Sequence, residues 1–136
     1  MSSTMKNNLN LLAATIRRLR SENGCPWDRR QTASSLIPYL REEMEELISA
    51  VEHEDYSNMC EELGDLLYLV MMITEINREK GRFDFSTVAE SINEKLIRRH
   101  PHVFAGKPYE NENDLKKQWE KIKAEEKEKS IDTNPS

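Results

Sequence analysis

Apolar residues recur every three or four positions along most of this chain, the period of helices with one buried face. Leu9, Leu12, Ala13, Ile16 and Leu19 line one side of a first helix predicted over residues 4–21, with Arg17, Arg18 and Arg20 mostly off that side. Asn23-Gly24 supplies a C-cap signal. Cys25-Pro26-Trp27-Asp28 is expected to be a loop, its Trp27 either a core plug or a wall of a site, with the plug favoured because Trp is mostly buried. A second helix is predicted over 32–53. Pro38 falls in or near its first turn, where proline is tolerated, and Leu36, Ile37, Leu40, Met44, Leu47, Ile48 and Val51 form its apolar stripe.

The third helix, predicted over 56–80, is apolar nearly all round beyond Gly64: Leu66, Leu67, Leu69, Val70, Met71, Met72, Ile73 and Ile76. Such a helix belongs inside a bundle. Gly81 stops it, and Phe83-Asp84-Phe85-Ser86 leads into a fourth helix over 86–99 with Val88, Ala89, Ile92, Leu96 and Ile97 inward. Pro101 ends that helix in an expected loop. A charged fifth helix over 112–129 carries only Leu115, Trp119 and Ile122 as a thin stripe. No alternating run is long enough for a strand. The fold class is therefore all-α, a bundle of four core helices plus a C-terminal helix. It forms one domain over residues 1–130, with a disordered tail over 131–136.

Composition narrows the setting. The 136 residues suffice for a single core, and the formal charge of -5 excludes a strongly basic nucleic-acid footprint. No run approaches a membrane span, and the N-terminus lacks the apolar core of a signal peptide. Two cysteines, Cys25 and Cys60, make neither a disulfide framework nor a zinc pattern. A reduced, cytoplasmic protein with no nucleic-acid or membrane partner is expected.

Charge is unevenly placed. Acids cluster in Glu42-Glu43-Met44-Glu45-Glu46 and in Glu61-Glu62-Leu63-Gly64-Asp65, on two helices joined by a short polar stretch. At about 100° per residue, Glu43 falls at the edge of the apolar stripe beside Leu47 and Ala50. Glu46 lies next to it, Glu42 further round, and Glu45 and Glu52 on the solvent side. Glu62 and Asp65 project on the side of Leu69, a face buried one turn later. Any one Glu is most simply a solvated side chain or a helix-start acid. Two pairs on facing helices, each beside the apolar face, instead build an oxygen-rich site. Its donor set suits Mg²⁺, with Mn²⁺ as a substitute, and the Glu-x-x-His of a di-iron bundle is missing. Lys95 and Arg99 share a face at the end of the fourth helix, with Arg98 beside them. These cations either complement the helix dipole or grip phosphates that a metal does not reach. His100 and His102 are expected to be structural.

Glu42 to Glu46 match an EExxE pattern and Glu62-Leu63-Gly64-Asp65 the ExxD that follows. With Gly24-Cys25-Pro26-Trp27-Asp28, Gly81-Arg82-Phe83-Asp84-Phe85 and Arg98-Arg99-His100-Pro101-His102-Val103-Phe104, they resemble the MazG nucleoside triphosphate pyrophosphohydrolases over roughly residues 8–127. The resemblance implies an all-α bundle that forms homodimers or higher homo-oligomers. It implies Mg²⁺-dependent cleavage of NTP or dNTP between the α and β phosphates, releasing a monophosphate and pyrophosphate, as in nucleotide-pool house-cleaning. By position, Glu43, Glu46, Glu62 and Asp65 would be the metal ligands. Glu42 would orient or deprotonate water, Lys95 and Arg99 would contact the triphosphate with Arg98 alongside, and Trp119 would lie near the nucleotide. Trp27 is a further candidate for the pocket wall. The enterobacterial member has two such modules where this chain has one. Narrower relatives acting on dUTP or phosphoribosyl-ATP, or a non-catalytic helical interaction module, are the alternatives.

Overall fold

The computed structural model describes the backbone of residues 3–133 and the side chains through Ser130. All regular structure among them is helical: α1 (Ser3–Leu19), α2 (Pro26–Arg30), α3 (Ile37–Glu52), α4 (Tyr56–Glu79), α5 (Phe85–Arg99), α6 (Pro101–Phe104) and α7 (Glu112–Thr133), with a 3-10 turn at Ser34–Leu36 leading into α3. The expected all-α class holds. α7 is helical through Thr133, and the rest of the expected tail, residues 134–136, lies outside the described residues. By internal contacts the chain forms two compact units, residues 1–85 and 86–136.

In the first unit α1, α3 and α4 pack around a core of Ile16, Leu36, Leu69, Met71, Met72 and Ile76, against which Leu12, Ala13, Trp27, Leu40, Leu67, Tyr68 and Ile73 are partly buried. The turn joining α3 to α4 is only His53-Glu54-Asp55. Glu54 takes a positive φ of 51° there, and Asp55 caps α4 by accepting from the Asn58 N–H. This short closure makes α3 and α4 an antiparallel hairpin.

The sequence stripe of α3 is corrected by that packing. Leu36 and Ala50 are buried and Leu40, Glu43 and Leu47 half-buried, whereas Ile37, Met44, Ile48 and Val51 are exposed. The inner face thus runs Leu36, Leu40, Glu43, Leu47, Ala50, and Glu43 lies within it rather than at its edge. On α4 the apolar surround is also incomplete: Val70 is exposed, while Thr74, Glu75 and Asn77 are buried. Thr74 and Asn77 return their polar atoms to the backbone carbonyls one turn back, of Val70 and Ile73. Glu75 is paired with Arg17 of α1 at 3.4 Å and with Arg78 at 2.6 Å. These bonds satisfy groups that would otherwise be destabilising in a core.

The expected loop at residues 25–28 is largely the short helix α2. Its most buried side chain is Asp28, not Trp27. Asp28 Oδ1 accepts from the Tyr68 hydroxyl of α4. Arg20 Nη1 donates to the Asp28 and Gln31 carbonyls while its Nε and Nη2 fork onto Glu79, both at 2.8 Å. A buried carboxylate and a half-buried guanidinium thus tie α2 to α1 and α4. Trp27 is half-buried and meets the Tyr39 ring edge-on at 5.4 Å between centroids. Gly24 permits this sharp entry, because a Cβ there would fall 2.2 Å from the Leu19 carbonyl oxygen.

In the second unit, α5 has no buried residue, and Ile92, Leu96 and Ile97, expected to point inward, are exposed. With only two long helices, this unit has too little structure to cover that stripe. Residues 101–104, expected as loop, form α6, with proline at the first helical position where its missing N–H costs nothing.

Candidate metal centre

The α3–α4 hairpin brings three of the four expected ligands together. One carboxylate oxygen from each of Glu43, Glu62 and Asp65 lies within 4.8 Å of the others. Glu43 comes from the inner face of α3 and Glu62 from the first turns of α4, both half-buried, while Asp65 is exposed one turn along. Glu43 Oε2 and Glu62 Oε2 are buried and have no hydrogen-bond partner. Carboxylates accept but do not donate, so two ionised groups at this interface repel and neither satisfies the other.

Titration reflects the conflict. Glu62 holds its proton more tightly than an ordinary glutamate, chiefly because its protonated form can donate to Glu43 and then through burial. Glu46 is raised as well, first because its protonated form can donate to Glu62 and then by the charge of Glu62. For Glu43 the bond with Glu62 pulls the pKa down, but burial and the charges of Glu46 and Asp65 outweigh it, and the net shift is upward. Protons therefore bind to the set as a whole rather than to one member. A divalent cation is the other way to join these oxygens, and three converging carboxylates, two of them with an orphaned buried oxygen, fit a hard, oxygen-seeking ion.

Glu46 is exposed and stands outside the converging trio, although it is coupled to Glu62 and lines a cavity with it. That cavity of about 360 Å³ lies under the α3–α4 turn and also presents Ser49, His53, Asp55 and Asn58. No sequence pattern points to it, because only the turn brings the end of α3 beside the start of α4. Glu42 is exposed and adds its charge to that felt by Glu46.

The basic residues belong to the second unit. Lys95 and Arg99 are half-buried on α5 and line a cavity of about 390 Å³ with His102, Leu115, Lys116 and Trp119. Arg98 turns instead toward Glu126 of α7, 2.5 Å away, and Arg99 is also bound to that carboxylate at 2.8 Å. Trp119 lies with Lys123 Nζ 4.5 Å from its ring centroid. His100 and His102 are both held locally: His100 Nδ1 to the Leu96 carbonyl at 2.6 Å, and His102 ring-to-ring with Tyr109 at 5.4 Å.

A model of the MazG nucleotide pyrophosphohydrolase domain matches residues 31–104, which contain all four acids together with Lys95, Arg98 and Arg99. The chain belongs to the MazG family. It is 44% identical over 122 residues to the nucleoside triphosphate pyrophosphohydrolase of Escherichia coli K12, covering 89% of this chain and 46% of that protein. It is 50% identical over 116 residues to the nucleoside triphosphate pyrophosphohydrolase/pyrophosphatase MazG of Thermotoga maritima, covering 85% and 44%. The chain thus spans less than half the length of these two MazG relatives. Among solved structures, a mazG-related protein from Thermotoga maritima shares the fold, with a TM-score of 0.67 at 29% identity over 85% of this chain and 97% of that one.

Proposed function

We propose that this chain is a divalent-metal-dependent nucleoside triphosphate pyrophosphohydrolase, cleaving NTP or dNTP between the α and β phosphates. The observation that carries the reading is the convergence of Glu43, Glu62 and Asp65, with two buried oxygens that no protein group satisfies. Family membership and the printed names of the relatives support the reaction class.

Glu43, Glu62 and Asp65, joined by Glu46, would hold Mg²⁺, with Mn²⁺ as a substitute. Such an ion supplies neutralisation and alignment of triphosphate oxygens. The chain's own groups do the rest. Lys95 and Arg99 bind phosphate oxygens and stabilise negative charge that builds up as the anhydride bond lengthens. Glu42, exposed beside the ligands, orients the attacking water. The water oxygen bonds to the α phosphorus, the bridging bond to the β phosphate breaks, and pyrophosphate leaves as the water proton passes to solvent. No covalent intermediate is required. Trp119 and Trp27 are the candidate walls against a nucleobase.

We also assign the protein a homodimeric or higher homo-oligomeric state. In support, Met44, Ile48 and Val51 on α3 and Leu63 and Val70 on α4 are exposed apolar side chains. Nucleic acid and membrane are not partners in this reading: the charge is acidic, and no helix among the described residues is long and apolar enough to cross a membrane. A reduced, cytoplasmic setting suits the two free thiols of Cys25 and Cys60. Incubating the purified protein with each NTP and dNTP in Mg²⁺, then measuring pyrophosphate and orthophosphate separately, tests the reading. Pyrophosphate is expected, and orthophosphate alone would overturn the cleavage position.

A further inference from the structure

Arg98 and Arg99 are neighbours in sequence, so on α5 their side chains diverge by about 100°. One carboxylate nevertheless serves both. Glu126 Oε2 accepts from Arg98 Nε at 2.5 Å, and Glu126 Oε1 accepts from Arg99 Nε at 3.1 Å and Nη2 at 2.8 Å. Glu126 is half-buried and its pKa is drawn down to about 2, first by the Arg99 hydrogen bond. The ion pair is therefore intact across the neutral range.

The two guanidiniums face different spaces. Arg99 lines the 390 Å³ cavity with Lys95, Lys116 and Trp119, and no carboxylate is among the residues lining that cavity. Glu126 lines a separate cavity with Arg98, Ile122 and Glu125. It therefore reaches Arg99 from outside the cationic cavity and does not fill it. The bond takes up the Nε–Nη2 edge of the guanidinium and leaves Nη1 with no hydrogen bond among the described residues. A guanidinium clamped along one edge is preorganised, and its remaining N–H groups point in a set direction. Without that clamp, Arg99 would be repelled by Lys95 four residues earlier and by Arg98 beside it.

We propose that Glu126 is a positioning residue: it holds Arg99 with Nη1 presented to the cavity, where a polyphosphate chain binds. The inference rests on the reading that Arg99 grips substrate phosphates, and it adds the group that aims it.

The test uses inorganic tripolyphosphate, titrated calorimetrically into the full chain, so that it does not depend on hydrolysis. E126Q keeps the shape and removes the charge that orients Arg99, and should raise Kd about tenfold, the scale of a charge-assisted hydrogen bond. E126D retains the charge and should recover part of the loss. R99A should weaken binding at least as much, and E126Q/R99A should be no weaker than R99A alone, because the two residues act as one unit. A merely structural Glu126 would add its loss on the R99A background, and that result overturns the proposal. Unchanged or tighter binding by E126Q also overturns it, since Glu126 would then be idle or a competitor. If E126Q does not fold, E126A decides: binding equal to wild type with R99A impaired overturns the proposal, and a loss that E126D restores at least in part supports it. Loss of binding in R99A without pyrophosphate release from any nucleotide would sink the enzymatic reading alone. Undiminished binding in R99A would sink the premise about Arg99, and the inference with it.

Discussion

Glu43 on α3 and Glu62 on α4 each direct one carboxylate oxygen, Oε2, into the helix interface where no donor meets it. Two acids in that relationship weaken the hairpin unless a proton or a cation lies between them. Unpartnered buried acceptors are destabilising by ~1–3 kcal/mol apiece in general, so the hairpin carries an unfavourable contact where its chemistry is proposed.

Mg²⁺ is therefore expected to raise the melting temperature of the apo protein. At a hundredfold excess over Kd the gain is about 2.7 kcal/mol. Glu62→Gln should leave the apo protein as stable as wild type or more so, since it removes one of the repelling charges, yet abolish most of the Mg²⁺-induced gain. Differential scanning calorimetry with and without Mg²⁺ checks both halves. A wild-type-sized gain in the variant would remove Glu62 from the ligand set.

The pH dependence should reverse between the apo and metal-loaded protein. Glu43, Glu46 and Glu62 all have folded-state pKa values raised above the ordinary 4.5. A raised carboxyl pKa means that the folded state takes up protons before the unfolded state does. The apo protein is thus penalised above those pKa values and gains stability as pH falls through them toward 4.5. Protons compete with the cation, so the Mg²⁺-induced gain should shrink over the same interval. Melting curves at stepped pH between neutrality and 4.5, with and without Mg²⁺, should converge as pH drops.

Glu126 titrates with the opposite sign. Its pKa is lowered to about 2, first by the hydrogen bond to Arg99. The contribution of the Arg98–Glu126–Arg99 cluster is fully present above the ordinary value of 4.5 and is lost as pH falls through about 2. NMR titration of the Glu126 carboxyl carbon should place its midpoint near the lower value. In Arg99→Ala the midpoint should move back toward 4.5.

Tyr68→Phe should be destabilising by ~1–3 kcal/mol, because it leaves the buried Asp28 carboxylate without its hydroxyl donor. The same contact and burial raise the Tyr68 phenol pKa, with burial the larger cause. Urea unfolding measures the loss, and absorbance at alkaline pH should show the Tyr68 phenol resisting ionisation.

Much of this protein was legible as periodicity. The long helices follow from apolar residues three and four apart, because burial of a stripe is what stabilises a helix in water. Glu62 and Asp65 stood out because they share a face with Leu69, which is indeed buried. Short segments were harder. At α2 and α6 a proline begins four or five helical residues, too few to show a period, and both were expected to be loops.

The α3 pattern contained two apolar faces, Leu36-Leu40-Leu47 and Met44-Ile48-Val51, and periodicity alone could not rank them. The three-residue turn with Glu54 at positive φ sets how α4 returns. It packs the first face against α4, leaves the second exposed, and so puts Glu43 opposite Glu62. Likewise, the basic end of α5 was plain in the sequence, but its pairing with Glu126, 27 residues further from Arg99, was not. Local spacing determined which side chains share a helix face, since that depends only on the backbone's own repeat. Which faces and which charges meet depends on turns and distant helices, and only the tertiary structure decided it.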